Sequence, residues 1–321
     1  MGWWQINADT LAGSRFTVSP LSETIACLIT LHRDRAVHPG ERAWLHTHRA
    51  AYRDRLTADP VTARLVTAAF GPDWNADFIT PTPTGEDAPD FDRELDVLRA
   101  APPAAARHDL LRSLRGPLPD ALDRDDLPHR AADLLAWVWE RTVRPDWTRR
   151  RHVLEADIVA RTSRLGRGGW AAALDGLRPG MRWLGGDRLR TNMGDYPPRE
   201  LAGVQLLLVP VTPSQGRWTS WEGTGRYALT YPCSGTLAER PAAAPAPLAR
   251  LLGPHRAAAL VLLADPKSTT QLVALTGQTL GSVGRHLRVL LDAGLVERRR
   301  TGRSVLYYRT DAGDAVVRAA G

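Results

Sequence analysis

The sequence is short of cysteine and lysine and has no long apolar run, and these shortages exclude several classes of protein. Its two cysteines, Cys27 and Cys233, lie too far apart in sequence to indicate a disulfide framework or a Cys-x-x-Cys metal site. The longest purely apolar run, residues 257–264, is far shorter than the ~20 residues of a membrane-spanning helix. The first residues lack the basic start and apolar stretch of a secretory signal. We therefore expect a reduced, cytoplasmic protein that does not bind a membrane.

Sequence signatures of catalysis and of metal binding are also missing. The chain has no Gly-x-Ser-x-Gly elbow and no His-Glu-x-x-His motif, and its Gly-rich stretch at residues 164–169 follows a helical pattern instead of a strand. His38, His46 and His48 offer nitrogen ligands, but side chains two residues apart on a helix point away from each other. We expect no catalytic residue, no metal and no cofactor, and hence a protein that is not an enzyme.

Positive charge is concentrated near the C-terminus. The chain has one lysine and 41 arginines. This bias is typical of a GC-rich genome, so the use of arginine in place of lysine carries little information about function. Residues 248–321 hold eleven basic and five acidic side chains and therefore carry +6 of the formal net charge of +7. A clustered positive surface is typical of a domain that binds phosphates, although a solvated surface without a partner has the same composition.

A run of alanine and proline separates two predicted domains. Residues 241–247 contain three prolines, which interrupt any helix and favour an extended linker. We assign residues 1–240 to a sensor, effector or interaction domain and residues 248–321 to a DNA-binding domain. In the upstream domain, the residue patterns predict helices at 20–31, 41–56, 91–100, 130–142 and 150–165, and strands at 15–18, 204–211 and 226–231. The predicted fold class is α+β and helix-rich, a mixed N-terminal domain followed by a winged helix-turn-helix.

Downstream of the linker, the pattern is that of a helix-turn-helix followed by a hairpin. A helix begins after Ser268, and Gly277 supplies the turn that follows it. Thr279 then caps a further helix, which ends at Gly294. The apolar residues of that helix share one face and are expected to point inward: Leu280, Val283, Leu287, Leu290 and Leu291. Two strands pair around residues 301–302, with arginines at the tip of the hairpin.

This order of elements suits the major groove of B-DNA, where the N-terminal residues of the second helix reach the base edges. Thr279 and Ser282 can hydrogen-bond to bases or phosphates, and Gly281 allows close approach. Arg285 is long enough for a bidentate contact with guanine. His286 lies at the flank of this face and either reaches a phosphate or is an ordinary residue of the helix surface. The arginines of the hairpin are expected to bind neighbouring phosphates or to enter the minor groove: Arg298, Arg299, Arg300 and Arg303.

Four blocks at fixed spacing give residues 248–317 a close resemblance to the winged helix-turn-helix of ArsR-type transcriptional regulators. The blocks are Ser268-Thr269-Thr270-Gln271-Leu272, Val283-Gly284-Arg285-His286-Leu287-Arg288-Val289-Leu290, Asp292-Ala293-Gly294-Leu295-Val296 and Arg300-Thr301-Gly302-Arg303-Ser304-Val305-Leu306-Tyr307. One position departs from the family pattern, because the family usually has Ser before its Arg-His-Leu sequence and this chain has Gly284. The change removes a hydroxyl from the expected DNA-binding face and adds a residue that destabilises helices.

The resemblance implies a sequence-specific repressor that acts as a homodimer. Family members pair through helices that flank the DNA-binding helices, which correspond here to residues 248–252 and 312–320. A twofold protein implies an inverted-repeat operator on double-stranded DNA, with half-sites about 34–36 Å apart or a multiple of that. Metal sensing is the family's best-known activity, but residues 268–278 contain no cysteine, so we expect a small organic effector instead.

The upstream region is similar to the large, poorly characterised domain that precedes such modules in actinobacterial regulators. This similarity rests on Val18-Ser19-Pro20-Leu21, Asp77-Phe78-Ile79-Thr80-Pro81, Pro145-Asp146-Trp147 and Leu229-Thr230-Tyr231-Pro232. It implies a shared architecture and assigns no ligand, so the ligand-binding residues remain open.

Tryptophan and cysteine give two further hypotheses for the upstream domain, which contains all eleven tryptophans. Trp137 with Trp139, or Trp218 with Trp221, could line an apolar ligand pocket or interface, or could simply pack in the core. Cys233 is either a redox-sensing thiol or a buried, inert one.

Two other functions are compatible with the same sequence. The upstream domain could be an enzyme tethered to DNA, although no catalytic motif supports that hypothesis. The winged helix could instead be a protein-interaction module, against which the arginines of the hairpin argue.

Overall fold

The computed structural model describes residues 2–86, 90–191, 198–223, 225–233, 244–264, 267–301 and 304–320. Helix makes up 58% of the chain and is accompanied by mixed sheets, which confirms the helix-rich α+β class. Contacts divide the chain into two compact units. The first comprises Met1–Trp147 and Leu174–Thr236, and the second comprises Thr148–Ala173 and Leu237–Gly321.

This division differs from the sequence assignment at one helix. Residues 148–173 precede the proline-rich run in sequence but group with the C-terminal unit by their contacts. A proline-rich run shows where a helix is interrupted, whereas packing decides which elements belong together. Residues 241–243 of the assigned linker lie outside the described residues.

The first unit contains a helical layer built around one helix that is buried over most of its length. Its helices are α1 (Ala8–Gly13), α2 (Pro20–Arg33), α3 (Pro39–Ala58), α4 (Pro60–Ala69), α5 (Phe91–Arg99), α6 (Pro103–Leu114) and α7 (Leu127–Val138). Every residue of α2 from Pro20 to Leu31 is buried, because α3, α5 and α7 pack around it. Four of these helices begin with proline, which suits the first helical position because its missing N–H has no acceptor there.

The strands of the first unit form two four-stranded sheets. They are β1 (Trp3–Ile6), β2 (Arg15–Phe16), β3 (Arg182–Gly185), β4 (Arg188–Arg190), β5 (Arg199–Leu201), β6 (Gln205–Val211), β7 (Trp218–Glu222) and β8 (Arg226–Pro232). The strand orders are β3-β4-β1-β5 and β2-β6-β8-β7. Within the second sheet β6 runs parallel to both β2 and β8, and its residues from Leu206 to Val211 are all buried. A near-continuous apolar run is typical of such an enclosed parallel strand.

The second unit holds the elements of the helix-turn-helix. Its helices are α8 (Trp147–Leu174, of which residues 148–173 group here), α9 (Ala246–Leu252), α10 (Pro254–Leu262), α11 (Thr269–Thr276), α12 (Leu280–Asp292) and α13 (Asp311–Ala320). The strands β9 (Lys267–Ser268), β10 (Val296–Thr301) and β11 (Ser304–Arg309) form an antiparallel sheet in the order β10-β11-β9. In the part of the chain that the structure describes, no helix is long and apolar enough to cross a membrane.

The predicted elements are present within a few residues of their expected bounds, except that the first predicted strand is limited to Arg15–Phe16 and the helix at 150–165 is part of the longer α8. Others were not predicted: α1, α4, α6, β1, β3, β4, β5, β7 and β9. The missed strands are short and mostly paired with distant parts of the chain; β1, for example, pairs with residues 188–190 and 199–201. Such strands depend on tertiary contacts more than on local sequence.

A buried carboxylate joins α5 to the start of α2. Ser19 caps α2 by accepting a hydrogen bond from the Ser22 N–H at 2.9 Å, and its hydroxyl donates to Glu94 Oε2 at 3.0 Å. Glu94 Oε2 also accepts from the Leu21 N–H at 2.9 Å. Burial is the main cause that raises the pKa of Glu94 to about 7, and the two hydrogen bonds oppose it. Folding therefore favours the protonated form of this carboxyl group.

We predict that the first unit loses stability as the pH rises from about 5 to about 8, and that Glu94→Gln makes this loss smaller. Because the folded-state pKa is raised, the contribution of Glu94 is full below the unfolded-state pKa and is lost as pH rises through about 7. The loss corresponds to as much as about 3 kcal/mol at ~1.4 kcal/mol per pKa unit, and a neutral amide avoids it. Urea unfolding followed by tryptophan fluorescence measures it, with the exposed Glu140→Gln as control. Equal pH dependence in the wild type and Glu94→Gln would contradict the prediction.

Candidate nucleic-acid interface

Local signals place both ends of α12. Gly277 adopts the left-handed region at φ 66° and closes α11, as a Gly after a helix commonly does. The Thr279 hydroxyl accepts a hydrogen bond from the Ser282 N–H at 3.3 Å and so caps α12. Gly294, at φ 67°, follows the last turn. These three residues have the structural roles that the sequence predicted.

Packing fixes which face of α12 is exposed. Val283, Leu287 and Leu290 are buried in the core of the unit together with residues of α10 and α11. Because residues three or four apart share a helix face, the side chains on the opposite face point to solvent. Arg285 and Arg288 lie there and are exposed, and neither forms an ion pair with a carboxylate in the described parts of the chain.

The N-terminal end of α12 is open to a partner. Thr279 and Gly281 are exposed, and Ser282 is half-buried. A Cβ atom built on Gly281 would have no neighbour within 4 Å. This end of the helix therefore combines small size with hydroxyl and guanidinium donors, which is the chemistry that contacts base edges and phosphates.

The inward prediction for Leu280 is wrong. Its side chain is 61% exposed, whereas the remaining apolar residues of the stripe are buried or half-buried. Leu280 is the first residue of α12 and lies one turn before Val283, where the core begins. The helical period alone could not reveal where the packed neighbours end. An exposed apolar group beside Thr279 suits contact with a thymine methyl group.

Ser282 and His286 belong to a polar cluster that the sequence did not reveal. The Ser282 hydroxyl donates to Gln278 Oε1 at 3.0 Å and lies 3.3 Å from His286 Nε2, while Gln278 Nε2 lies 3.0 Å from His255 Nδ1. The rings of His255 and His286 stack with centroids 5.6 Å apart. Burial, and then the neighbouring His255, lower the pKa of His286, which favours its neutral form. His286 is thus a half-buried neighbour of Ser282, and a phosphate that approached it would favour its protonation.

The strand register separates the hairpin arginines. Arg298 pairs with Tyr307 and Arg300 pairs with Val305, whereas Arg299 pairs with Leu306. Because successive residues of a strand face opposite sides, Arg299 lies on the face opposite to Arg298 and Arg300. All three side chains are exposed.

Arg299 is held by contacts within its own face of the hairpin. Its Nη2 atom forms an ion pair with Glu297 Oε1 at 2.6 Å, and its guanidinium lies 5.3 Å from the centre of the Tyr308 ring. Arg298 has no carboxylate partner in the described structure. Arg298 can therefore bind a phosphate directly, whereas Arg299 must first leave its ion pair with Glu297. Arg303 lies outside the described residues.

The remaining candidate residues show no reactive cluster in the part of the chain that the structure describes. The thiols of Cys27 and Cys233 are both buried, and burial of Cys233 agrees with the inert alternative. His48 lies against the Trp44 ring, with centroids 5.3 Å apart. Among the described residues, no three His, Cys, Asp or Glu side chains come together as a metal-binding group.

A helix-turn-helix whose second helix is followed by an antiparallel hairpin defines the winged helix-turn-helix class, and residues 254–320 have this order of elements. Residues 254–298 match the protein family described as "Bacterial regulatory protein, arsR family". The chain therefore contains, at its C-terminus, the arsR-family helix-turn-helix of a DNA-binding transcription regulator. No curated protein and no solved structure matches the chain.

We predict different effects on DNA binding for two Gly-to-Ala substitutions in α12 that both stabilise the helix. A Cβ atom at Gly281 or at Gly284 would have no neighbour within 4 Å, so each substitution should add about 0.5–1 kcal/mol of stability. Gly281→Ala should also weaken DNA binding, because it fills the point of close approach, whereas Gly284→Ala, one turn further along α12, should weaken binding less. Thermal unfolding and fluorescence anisotropy measure the two effects. Loss of stability in both variants would contradict this account of α12.

Proposed function

We propose that the protein is a cytoplasmic, sequence-specific transcriptional repressor that binds DNA as a homodimer and responds to a small organic effector. The observation that carries the proposal is the exposed N-terminal end of α12, where Thr279, Gly281 and Arg285 lie on one side of a helix anchored by its opposite face. The arsR-family match supports DNA binding as the activity of this surface.

Base recognition and phosphate binding are assigned to different residues. Arg285 is exposed and unpaired within the described structure, so its guanidinium can form two hydrogen bonds to guanine in the major groove. Arg298 lies on the hairpin and is assigned to phosphates, together with Arg299 once Glu297 releases it. Electrostatic contacts of this kind supply affinity for any duplex, whereas Arg285 supplies preference for one sequence.

The proposed dimer uses α9 and α13. These helices pack against each other within the second unit. Leu251 on α9 is 73% exposed, the largest exposed fraction among the large apolar side chains of the described chain. An apolar side chain in this position suits a symmetric contact with a second copy. A twofold axis would direct the two α12 helices to an inverted-repeat operator with half-sites about 34–36 Å apart.

The upstream unit is proposed to act through binding and not through catalysis. It would hold the effector and alter the distance between the two α12 helices of the dimer.

We predict that Arg285→Ala and Arg298→Ala have different effects on DNA binding. Arg285→Ala should reduce the preference for the operator by roughly 1–3 kcal/mol, with little loss on scrambled DNA. Arg298→Ala should weaken binding to every duplex and lower the slope of log affinity against log salt by about one contact. The measurement is fluorescence anisotropy over a salt series, with the duplex upstream of the protein's own gene and a scrambled duplex.

Arg164→Ala is the matched control, because Arg164 is an exposed arginine of the same unit on α8, which belongs neither to the assigned DNA-binding surface nor to the proposed dimer contact. It should leave both the preference and the salt slope unchanged. Unaltered binding in all three variants would reject the assigned surface, and an absence of DNA binding by the wild type at low salt would favour a protein-interaction module.

We predict that Leu251→Asp converts a dimer into a monomer. A charge at this apolar contact must be desolvated when two copies meet, which opposes association. Sedimentation velocity measures the mass, and anisotropy should show weaker operator binding because one half-site is lost. The control is Leu111→Asp, an exposed leucine of α6 in the first unit, which should leave the mass unchanged. A monomeric wild type would overturn the proposed dimer.

A further inference from the structure

A pocket of about 500 Å³ opens in the first unit, within the size range of sites for small organic molecules. Its walls come from β1, the end of α2, the loop that contains Trp74, and the segment from Gln215 to Trp221. All of these elements belong to the first unit. The pocket is therefore formed without residues of the helix-turn-helix.

The charged lining of the pocket is strongly asymmetric. Two carboxylates, those of Asp73 and Asp77, line it together with five arginines. The arginines are Arg33, Arg112, Arg178, Arg199 and Arg217. Asp73 pairs with Arg115 at 2.8 Å, and Asp77 lies 3.8 Å from Arg112. The lining is therefore net positive, and its two carboxylates already have arginine partners.

Aromatic rings support two of the arginines. The guanidinium carbon of Arg112 lies 3.8 Å from the centre of the Trp74 ring, and that of Arg199 lies 4.2 Å from the Trp221 ring. The two tryptophans meet edge to face, with centroids 5.6 Å apart. This arrangement places two guanidinium groups over two indole rings, and the rings together form an apolar corner of the pocket.

Arg178 supplies a fixed positive charge. Its Nε atom donates to the Thr230 carbonyl at 2.9 Å, one Nη donates to Thr219 Oγ1 at 3.3 Å, and the other donates to the Trp218 carbonyl. The side chain is buried, and no carboxylate pairs with it among the described residues. Burial, and then the proximity of Arg217, lower its pKa to about 9, so it stays charged at neutral pH.

Arg33 and Arg217, which are exposed, line the same pocket as the buried Arg178. Burial, and then repulsion from Arg217, lower the pKa of Arg33. Arg217 is thus near enough to both other guanidinium groups to disfavour their charge. Neither Arg33 nor Arg217 forms a side-chain hydrogen bond or an ion pair within the described parts of the chain. Three like charges around one space are most stable when an anion lies between them.

We propose that this pocket binds a small organic anion whose carboxylate or phosphate lies among Arg33, Arg178 and Arg217, and whose ring packs against Trp74 and Trp221. Guanidinium groups suit both anions because they offer paired N–H donors. This inference deepens the effector part of the proposed function. Its test measures ligand binding without DNA, so that the pocket and the DNA-binding surface can fail separately.

The test uses isothermal titration calorimetry of the full chain with two pairs of probes. Salicylate is compared with neutral salicylamide, and adenosine monophosphate with neutral adenosine; the first pair tests a carboxylate and the second a phosphate. At least one anion should bind with a Kd below about 1 mM and at least about tenfold more tightly than its neutral analogue. Tighter binding by salicylate than by adenosine monophosphate, or the reverse, identifies the anionic group.

Matched variants place the bound anion. Arg33→Gln and Arg217→Gln should each weaken binding about tenfold, because each removes a charge-assisted hydrogen bond. Arg64→Gln is the control, since Arg64 is an exposed arginine on α4 outside the pocket lining. The unfolding midpoint of each variant is measured without ligand. A midpoint equal to that of the wild type shows that the variant is folded. The proposal is overturned if neither anion binds, if the neutral analogues bind equally well, or if both variants retain wild-type affinity.

A second arm repeats the operator titration with the anion that binds. A change in DNA affinity supports this anion class as the effector class. If the anion binds but DNA affinity is unchanged, the pocket is an anion site without a regulatory role. If the operator binds but no anion does, the proposed anion site is wrong and the proposed DNA-binding surface is unaffected.

Discussion

The pocket in the first unit depends on two buried carboxylates that hold one turn. Glu23 on α2 accepts hydrogen bonds from the N–H of Thr212, at 2.7 Å, and from its hydroxyl. Glu41 on α3 accepts from the N–H of Ser214 at 2.9 Å and from its hydroxyl. Because a buried carboxylate is costly without donors, these bonds bind the turn after β6 to the helical layer. Arg217 follows this turn directly, so the helices determine where the pocket presents its charge.

Helix α12, to which we assign DNA binding, is held in a similar way, with apolar contacts in place of hydrogen bonds. Val283, Leu287 and Leu290 anchor one face of α12 in the core, and this anchoring leaves the opposite face available. The side chains available to DNA therefore need no stabilising contacts of their own. The open surroundings of Gly281 and Gly284 agree with this division, since neither position contributes to packing. In both units, a buried set of contacts fixes the direction of residues that remain unpaired in the described structure.

The sequence could predict what local interactions determine. The Thr279 cap, the Gly277 turn and the packed face of α12 all follow from residues within one or two helical turns. The stacking of His255 on His286 and the pairing of β1 with distant strands join segments far apart in the chain, so no local pattern reveals them. The tryptophan hypothesis shows the same limit. Composition indicated an aromatic pocket or a packed core, but only the fold placed Trp221 beside Trp74 and beneath Arg199.

The number of arginines says little about function in a chain with 41 of them. Which of them have a carboxylate partner is informative. Many surface arginines have a carboxylate neighbour, as Arg53 has Asp34 and Arg144 has Glu140. Such pairs are solvated and contribute little to stability. Arg33 and Arg217 differ because they share one pocket, with Arg178, without such a neighbour in the described structure. Arg285 and Arg288 share the exposed face of α12 in the same way. Where several guanidinium groups converge without carboxylates, their mutual repulsion opposes the arrangement unless an anion relieves it. We therefore propose a small anion for the pocket, and the phosphates and bases of DNA for α12.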